Sequence, residues 1–196
     1  MSPSKKPAPR KTGTTPDKKY HHGNLRQEAV AAALGLIESD GEAGLSLRGV
    51  ARRLGVSSAA LYRHFADREA LLDAVAAEGE RRLAELLEES VNWPVDPIDG
   101  EDAAGRLETV IHHHLAFAAG RKEIFHLIMR RTPAAGRPSR EFLRRAIQDL
   151  AARNRKVRDP EETDIALAQS LLDGLALSGA VADEGLVGRR LLRLLG

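Results

Sequence analysis

The sequence contains no cysteine, which excludes disulfide bridges, thiolate zinc sites and cysteine nucleophiles at once. Aromatic residues make up only 4% of the chain, and valine and isoleucine together number 17 of 196 residues. Residues that favour β-strands are therefore scarce. No apolar run approaches the roughly 18 residues of a membrane span, and the N-terminus lacks the apolar stretch of a signal peptide. We expect a cytoplasmic protein that does not enter a membrane.

Alanine and leucine, the two best apolar helix formers, occur 30 and 27 times in the chain. The 196 residues are enough for one large or two small domains with a sizeable core. The hydrophobic fraction of 42% and the charged fraction of 30% are ordinary for a soluble folded protein. The composition predicts an all-α fold.

The formal net charge of +2 is unevenly distributed along the chain. Residues 1–24 carry +5, residues 25–72 balance at zero, and residues 73–196 carry −3. We expect residues 1–19 to form a disordered basic arm, because they contain too few apolar residues to fold alone. Two interpretations of this arm remain open: a solubilising tail, or an arm that neutralises phosphates beside a docked domain.

Apolar residues recur at helical spacing along most of the chain. The first helix is expected to begin at Asn24, whose side chain would cap it, with Gln27 at the reciprocal capping position. Asp67 is expected to cap the fourth helix, which then continues to a Pro- and Gly-containing loop at about 91–100. The other helices are predicted at about 47–54, 58–64, 102–119, 121–131, 137–154 and 160–183, with an amphipathic tail at 186–195.

The most informative stretch runs from Ser46 to Phe65, where Ala51, Gly55 and Leu61 form an A-x3-G-x5-L pattern. In a helix-turn-helix, a small residue at Ala51 lets the second helix cross the first. Gly55 supplies the positive φ that ends the first helix in a tight turn, and Leu61 fixes the crossing by burial. An ordinary helical hairpin inside a core has the same elements. The small and hydrogen-bonding residues on the second helix, together with the basic flank, favour DNA binding.

Residues 20–83 closely resemble the DNA-binding domain of the TetR family of transcriptional regulators, with the helix-turn-helix at 46–65 and a helical ligand-binding and dimerisation domain expected at 84–196. The match is long and ungapped, and its lead-in is similar to that of a recurrent subset of the family. The segments that carry the resemblance are YHHGNLR at 20–26, LSLR at 45–48, GVS at 55–57, LYRHF at 61–65 and REALL at 68–72.

The resemblance implies contacts with double-stranded DNA at seven positions, which are Arg48, Ser57, Ser58, Ala59, Tyr62, His64 and Arg68. Arg48 would reach a base edge, since an arginine fork suits guanine O6 and N7. Tyr62 and His64 would hold phosphates, although Tyr62 could instead pack and His64 could be a plain surface residue. Arg68 would pair with the DNA backbone at a helix N-terminus.

Three adjacent histidines, His112, His113 and His114, invite a metal hypothesis together with His126. Consecutive helical residues point about 100° apart, so the three cannot share one ion, and none has an i, i+4 histidine or carboxylate partner. Pocket lining and an ordinary structural or surface role are the other interpretations. We predict no metal and no cofactor.

In the family, the domain after the fourth helix encloses a small-molecule inducer, whose identity the sequence does not give. The large, adaptable side chains in this half are the candidates, although core filling is the ordinary role of such residues. Asp173 stands in an apolar run, where a lone carboxylate should be partnered or line a cavity. The candidate pocket residues are His113, Phe117, Phe125, Met129 and Asp173.

The predicted helix at 160–183 carries two apolar stripes, and one protomer can cover only one of them. We expect the other to pair with a two-fold copy in a four-helix bundle that includes the preceding helix at 141–153. The small residues of the helix would allow close approach, with Gly179 at its closest point. The predicted interface stripe is Ile165, Ala168, Leu172, Leu175 and Gly179, and the second stripe is Leu167, Leu171 and Ala176.

The sequence thus predicts a homodimeric repressor that binds a palindromic operator and is released by a small molecule. An activator or dual regulator of the same architecture is the alternative. Two other classes also stay open: an architectural DNA binder, which should be basic throughout, and a histidine-based metal hydrolase, which should bind zinc. We expect no enzyme, because the chain lacks a nucleotide-binding loop, a nucleophile elbow and a cofactor fingerprint.

Overall fold

The computed structural model describes residues 24–91, 100–153, 159–179 and 187, and every regular element in these ranges is helical. No helix within them is long and apolar enough to span a membrane. Short 3₁₀ turns lie at Glu42–Gly44 and Ala134–Gly136. The α-helices are α1 (Leu25–Asp40), α2 (Leu47–Leu54), α3 (Ser58–Tyr62), α4 (Arg68–Val91), α5 (Gly100–Gly120), α6 (Lys122–Arg131), α7 (Ser139–Arg153) and α8 (Glu162–Ser178).

The first three helices pack together, and α1 also packs against α4. Their shared core contains Ile37, Leu61 and Phe65, none of which is more than 2% exposed. The guanidinium carbon of Arg26 lies 4.9 Å from the centroid of the Phe65 ring. This small core fixes the angle between α2 and α3, as the A-x3-G-x5-L pattern predicts.

The second half is built on α4 and α5, with α7 against both and α8 against α5, α6 and α7. Gly79 of α4 is where α6 comes closest. A Cβ atom at Gly79 would lie 2.7 Å from Cγ2 of Ile124 and 3.1 Å from Cδ1 of Ile128. Because the first of these distances is shorter than real Cβ contacts, any larger residue would force α4 and α6 apart.

Helix α6 is also tied to the N-terminal helices by charge. Arg121 pairs with Glu38 of α1, and Arg130 pairs with Glu42 of the first 3₁₀ turn. Arg131 reaches α4, where it bonds to Glu69 and, at 2.6 Å, to Asp73. The two halves of the chain therefore meet through both apolar and ionic contacts.

Several predicted helix ends differ from the observed ones. Asn24 does precede α1, but its side chain accepts no capping hydrogen bond, so the predicted capping box with Gln27 is wrong. The backbone of Asn24 has φ −119° and ψ 2°, outside the extended conformation that lets an N-cap side chain turn back. Helix α3 ends at Tyr62 rather than His64.

Helix α8 is shorter than predicted. It begins with a capping box between Glu161 and Asp164 and ends at Ser178, because Gly179 adopts φ +63°. Gly179 is therefore a helix terminator and not a point of close approach within a helix. The basic arm at 1–19 lies outside the described residues, as does nearly all of the tail at 186–195, and the boundary predicted between residues 83 and 84 falls inside the continuous helix α4.

Candidate functional site

The turn between α2 and α3 has the geometry that its sequence predicts. Ser46 caps α2 by accepting a hydrogen bond at 3.0 Å from the backbone N–H of Gly49. Gly55 ends α2 with φ +70°, and the next N–H, of Val56, bonds to the Ala51 carbonyl at 3.0 Å. The hydroxyl of Ser57 then caps α3 by accepting a hydrogen bond at 3.2 Å from the N–H of Ala60. Local chemistry thus fixes both ends of the turn.

The residues predicted to contact DNA are on the surface of this motif. Tyr62 is 50% exposed, which disfavours the alternative that it packs in the core. Ser58 and Arg68 are half-buried. The other five predicted contacts are exposed, and they are Arg48, Ser57, Ala59, Tyr62 and His64.

The surface of α2 and α3 is cationic. Residues 45–66 contain four arginines and no aspartate or glutamate. All four arginines, Arg48, Arg52, Arg53 and Arg63, are exposed and take part in none of the ion pairs within the described residues. The charge of this surface is therefore available to an anionic partner, as phosphate binding requires.

Arg68 has a structural role that sequence reasoning missed. Its Nε donates to the Leu45 carbonyl at 3.1 Å, and its Nη2 donates to the Glu42 carbonyl at 2.7 Å. Its Nη1 bonds to Glu69 at 3.0 Å. These bonds fasten the start of α4 to the segment that leads into α2, so Arg68 positions the motif. The phosphate contact implied for Arg68 stays a prediction.

A second group of polar residues lies in the core of the C-terminal half. Asp173 of α8 accepts hydrogen bonds from Arg137 at 2.7 Å and from Gln169 at 2.8 Å. The Nε2 atom of His114 lies 3.2 Å from Asp173 Oδ1, and its ring meets the edge of Phe125 with centroids 5.4 Å apart. The prediction that the carboxylate of Asp173 is partnered is therefore correct.

Arg137 links this group to the end of α6. Its side chain is only 7% exposed, and it donates to the carbonyls of Thr132 at 3.0 Å and Met129 at 3.4 Å. Burial opposes the ionisation of Asp173. The nearby His114 ring, the hydrogen bond from Gln169 and the charge of Arg137 outweigh this cost, so that the pKa of Asp173 is lowered.

Glu80 of α4 lies beside the same group. It is 2% exposed, and its Oε1 accepts a hydrogen bond at 2.8 Å from the backbone N–H of Ser139, the first residue of α7. Its Oε2 has no hydrogen-bond partner within the described residues. Burial raises the pKa of the Glu80 carboxyl, although the hydrogen bonding of Ser139 and the charge of Arg137 oppose this change.

The structure brings three predicted pocket residues, Phe125, Met129 and Asp173, around Arg137 and His114. The other two, His113 and Phe117, line a separate open groove of about 730 Å³ among α1, α4, α5 and α6. The Nδ1 atom of His113 contacts the hydroxyl of Ser90 and does not reach Asp173. His113 and Phe117 thus lie apart from the other three candidates, and the ligand-binding role of all five residues stays a prediction.

The sequence contained a signal for His114. Leu107, Ile111, His114 and Ala118 are spaced by four, three and four residues, and each is no more than 2% exposed. A histidine on an apolar helical stripe is buried with that stripe. Arg137 and Glu80 had no comparable signal, because Asp173 and Ser139, which they bond, lie 36 and 59 positions away. Gln169, by contrast, bonds to Asp173 four positions further along the same helix.

The predicted dimer stripe on α8 also needs correction. Ile165, Ala168 and Leu172 are 1%, 3% and 0% exposed, so they belong to the core of the chain itself and do not face a partner. Leu175 is half-buried, and Gly179 lies beyond the helix. The exposed apolar face, here called the α8 stripe, consists of Leu167, Leu171, Gly174 and Leu177. Of these, Leu167 is 54%, Leu171 37% and Leu177 40% exposed.

No group of three or more histidine, aspartate or glutamate side chains in the described part of the chain is arranged to hold a metal ion. His112, His113 and His114 have different surroundings, since His112 is exposed, His113 half-buried and His114 buried. Adjacent helical residues diverge, as the 100° rotation per residue requires.

Comparison with known proteins gives a match to a family model and matches to curated relatives. Residues 29–75 match the family model of bacterial regulatory proteins of the tetR family. The nucleoid occlusion factor SlmA of Aliivibrio fischeri (strain MJ11) is 35% identical over 98 residues, which is 48% of this chain and 46% of that protein. The class A tetracycline repressor protein from transposon 1721 of Escherichia coli is 50% identical over 56 residues, which is 29% of this chain and 24% of that protein.

The chain therefore spans less than half the length of these curated relatives. One solved structure extends the likeness to the C-terminal half. A protein of unknown function from Rhodococcus sp. RHA1 is 29% identical with a TM-score of 0.63, over 91% of this chain and 99% of that one. With its capped helix-turn-helix, its family-model match at residues 29–75 and these relatives, the chain belongs to the TetR family of bacterial regulatory proteins.

Proposed function

We propose that this chain is a homodimeric transcriptional repressor that binds an operator through α2 and α3 and is released by a small molecule. The single observation that carries the proposal is the exposed, acid-free surface of the helix-turn-helix. Its exposed arginines form no ion pair with a carboxylate of the described residues. Its small residues, Ser57 and Ala59, allow close approach to a DNA groove. A regulator of this kind acts where bacterial DNA lies, in the cytoplasm.

The proposed dimer forms through the α8 stripe. Three leucines that are at least 37% exposed on one helix face make an apolar surface that a second copy can cover. A two-fold axis brings the same stripe from both chains together, with Gly174 allowing close approach. The symmetric dimer would place two recognition helices about 34–36 Å apart, which matches successive major grooves.

Release would follow from a shift in population between two dimer geometries. A ligand that binds one geometry better moves the recognition helices out of register with the grooves. A small-molecule ligand is supported by the similarity to a tetracycline repressor protein. The contacts between α6 and the N-terminal helices give a physical route between the two halves.

The direct test is selection of bound sequences from random DNA by the full chain, followed by competition with metabolite fractions. The proposal predicts a palindromic consensus with half-sites one helical turn apart, and at least one fraction that releases the DNA. Recovery of sequences with no consensus would instead indicate an architectural DNA binder. Binding to the same consensus with transcription increased in vitro would indicate an activator.

Replacing Arg48 by alanine is expected to relax the preference at one base pair and to weaken operator binding by about 1–3 kcal/mol, as loss of a bidentate base contact does. Arg52, exposed on the same helix, is the matched control. Arg52→Ala should weaken all sequences alike and reduce the slope of binding against salt by about one unit. An unchanged consensus for Arg48→Ala in a repeat of the selection would contradict the base-reading role.

Replacing Arg68 by alanine is expected to destabilise the N-terminal helices by about 1–2 kcal/mol, because it removes two hydrogen bonds to backbone carbonyls. Denaturant unfolding measures this loss, with Arg63→Ala as the exposed control that should change stability little. The salt dependence of DNA binding separates the two roles of Arg68. A slope reduced by about one unit indicates a phosphate contact, whereas an unchanged slope indicates positioning alone.

A second candidate function arises from the SlmA similarity, which extends over 98 residues. A nucleoid occlusion factor and a repressor share DNA binding and differ in where their sites lie. Mapping the bound sites on the chromosome distinguishes them, because a repressor is expected at a few promoters and an occlusion factor at many dispersed positions.

A further inference from the structure

An open groove of about 430 Å³ lies between α4 and the start of α7. We call it the α4/α7 groove. This volume lies within the range of small-molecule sites, about 300–1,000 Å³. All the charged lining residues come from α4, and the proline and aromatic side chains come from the other wall. The lining residues that matter here are Glu80, Arg81, Glu85 and Glu88 of α4, Pro138, and Phe142 of α7.

The charge of the α4/α7 groove is negative, with three glutamates against one arginine in its lining. The guanidinium of that arginine, Arg81, is already paired with carboxylates. It bonds to both carboxylate oxygens of Glu78, at 2.7 and 2.8 Å, and it also pairs with Glu85. Its guanidinium therefore does not neutralise Glu80 or Glu88, and an anionic ligand would be repelled.

Glu80 gives the groove a buried acceptor. Glu80 is a lining residue of the groove, although only 2% of it is exposed, and its Oε2 has no hydrogen-bond partner within the described residues. The nearby guanidinium of Arg137 is held by Asp173 at 2.7 Å. A buried carboxyl oxygen without a partner is costly, and burial raises its pKa accordingly. A cation that enters the groove would supply the missing partner.

The other wall requires an apolar ligand body. Phe142 and Pro138 lie opposite the charged residues, while Ala77 and Ala84 of α4 add methyl groups. Arg145, whose guanidinium carbon lies 5.8 Å from the centroid of the Phe142 ring, pairs with Glu141 at 3.2 Å. A small inorganic cation would leave these apolar surfaces uncovered, and a neutral apolar molecule would leave Glu80 without a charge partner.

From this juxtaposition we propose that the α4/α7 groove binds an organic cation with an apolar, aromatic body, whose charge lies at Glu80 and whose body packs on Phe142 and Pro138. The claim that this cation is the ligand that releases the DNA rests on the proposed function. The claim that the groove binds such a cation does not. Glu88, exposed at the rim, draws the cation to the groove, and Glu80 holds it inside.

The test compares two ions of nearly the same shape and opposite charge, tetraphenylphosphonium and tetraphenylborate, by calorimetric titration into the full chain without DNA. We expect one phosphonium ion per chain and affinity for the borate at least about tenfold weaker. Glu80→Gln should weaken phosphonium binding at least about tenfold, because it removes the charge and keeps an oxygen that can accept from Ser139 N–H. Glu89→Gln, at an exposed position on the same helix, is the matched control and should bind unchanged.

Thermal unfolding of each variant verifies that it folds. Should Glu80→Gln fail to fold, the Glu85→Gln/Glu88→Gln double variant replaces it and is expected to weaken binding several-fold. Equal affinity for the two ions, no binding of the phosphonium, or binding unchanged in these variants would each overturn the proposal. None of these outcomes affects the selection of bound DNA, so failure here is distinct from failure of the proposed function.

Discussion

Leu171→Glu is expected to convert the dimer to a monomer at micromolar concentration and to abolish operator binding. Leu171 is 37% exposed in the centre of the α8 stripe, so a glutamate there is solvated in the monomer. In a dimer the same carboxylate would be buried against its two-fold copy, where two like charges meet without a cation. We expect dimer affinity to fall at least about 100-fold. Sedimentation velocity measures the fraction of dimer, and titration with operator DNA measures the loss of binding.

The matched control for this prediction is Thr109→Glu, which adds the same charge at an exposed position of α5. It should leave both dimerisation and DNA binding unchanged. Leu167→Glu, at the most exposed leucine of the stripe, should act like Leu171→Glu. A dimeric Leu171→Glu protein would show that the interface lies on another surface.

Asp173→Ala is expected to destabilise the fold by about 3–5 kcal/mol, which is the usual cost of breaking a buried ion pair from one side. The side chains of Arg137 and Asp173 are only 7% and 14% exposed, so the guanidinium left behind has little access to water. Gln169 and His114 lose their shared acceptor in the same step. Chemical unfolding at a fixed protein concentration measures the effect, because a dimer couples stability to concentration.

Two further variants separate charge from packing in this core. Arg144→Ala removes an arginine whose ion pairs with Glu162 and Glu141 are on the surface, and it should cost less than about 1 kcal/mol. The Arg137→Met/Asp173→Leu double variant should be less destabilised than Asp173→Ala, since it leaves neither ion of this pair buried without its partner. A loss below about 1 kcal/mol for Asp173→Ala would mean that water reaches Arg137.

The sequence was most informative where local chemistry alone determines structure. Ser46, Ser57 and Asp67 each cap the helix that the sequence predicts, and Gly55 ends α2 in the left-handed conformation. Each of these features depends on residues three or four positions apart, so the local sequence contains both partners. The helix-turn-helix was predicted nearly complete for this reason.

Features that depend on distant partners were predicted poorly. On α8 both stripes are apolar, and only the packing of α5, α6 and α7 determines that Leu172 is inside and Leu171 outside. Likewise, no local pattern shows that Arg137 joins Asp173, 36 positions away. The predicted interface failed because amphipathicity identifies a helix with two apolar sides and does not say which side the chain itself covers.

Helix α4 is a single rigid rod shared by the two halves of the chain. From its first to its last residue it is about 35 Å long, and Gly79, where α6 comes closest, divides it into arms of about 17 and 18 Å. We expect α4 to pivot at Gly79 when its C-terminal half is displaced. A tilt of about 10° about that point would carry Arg68, at the far end, through roughly 3 Å. Since Arg68 is bonded to the segment that leads into α2, we expect a tilt this small to move the recognition helix out of register with a DNA groove.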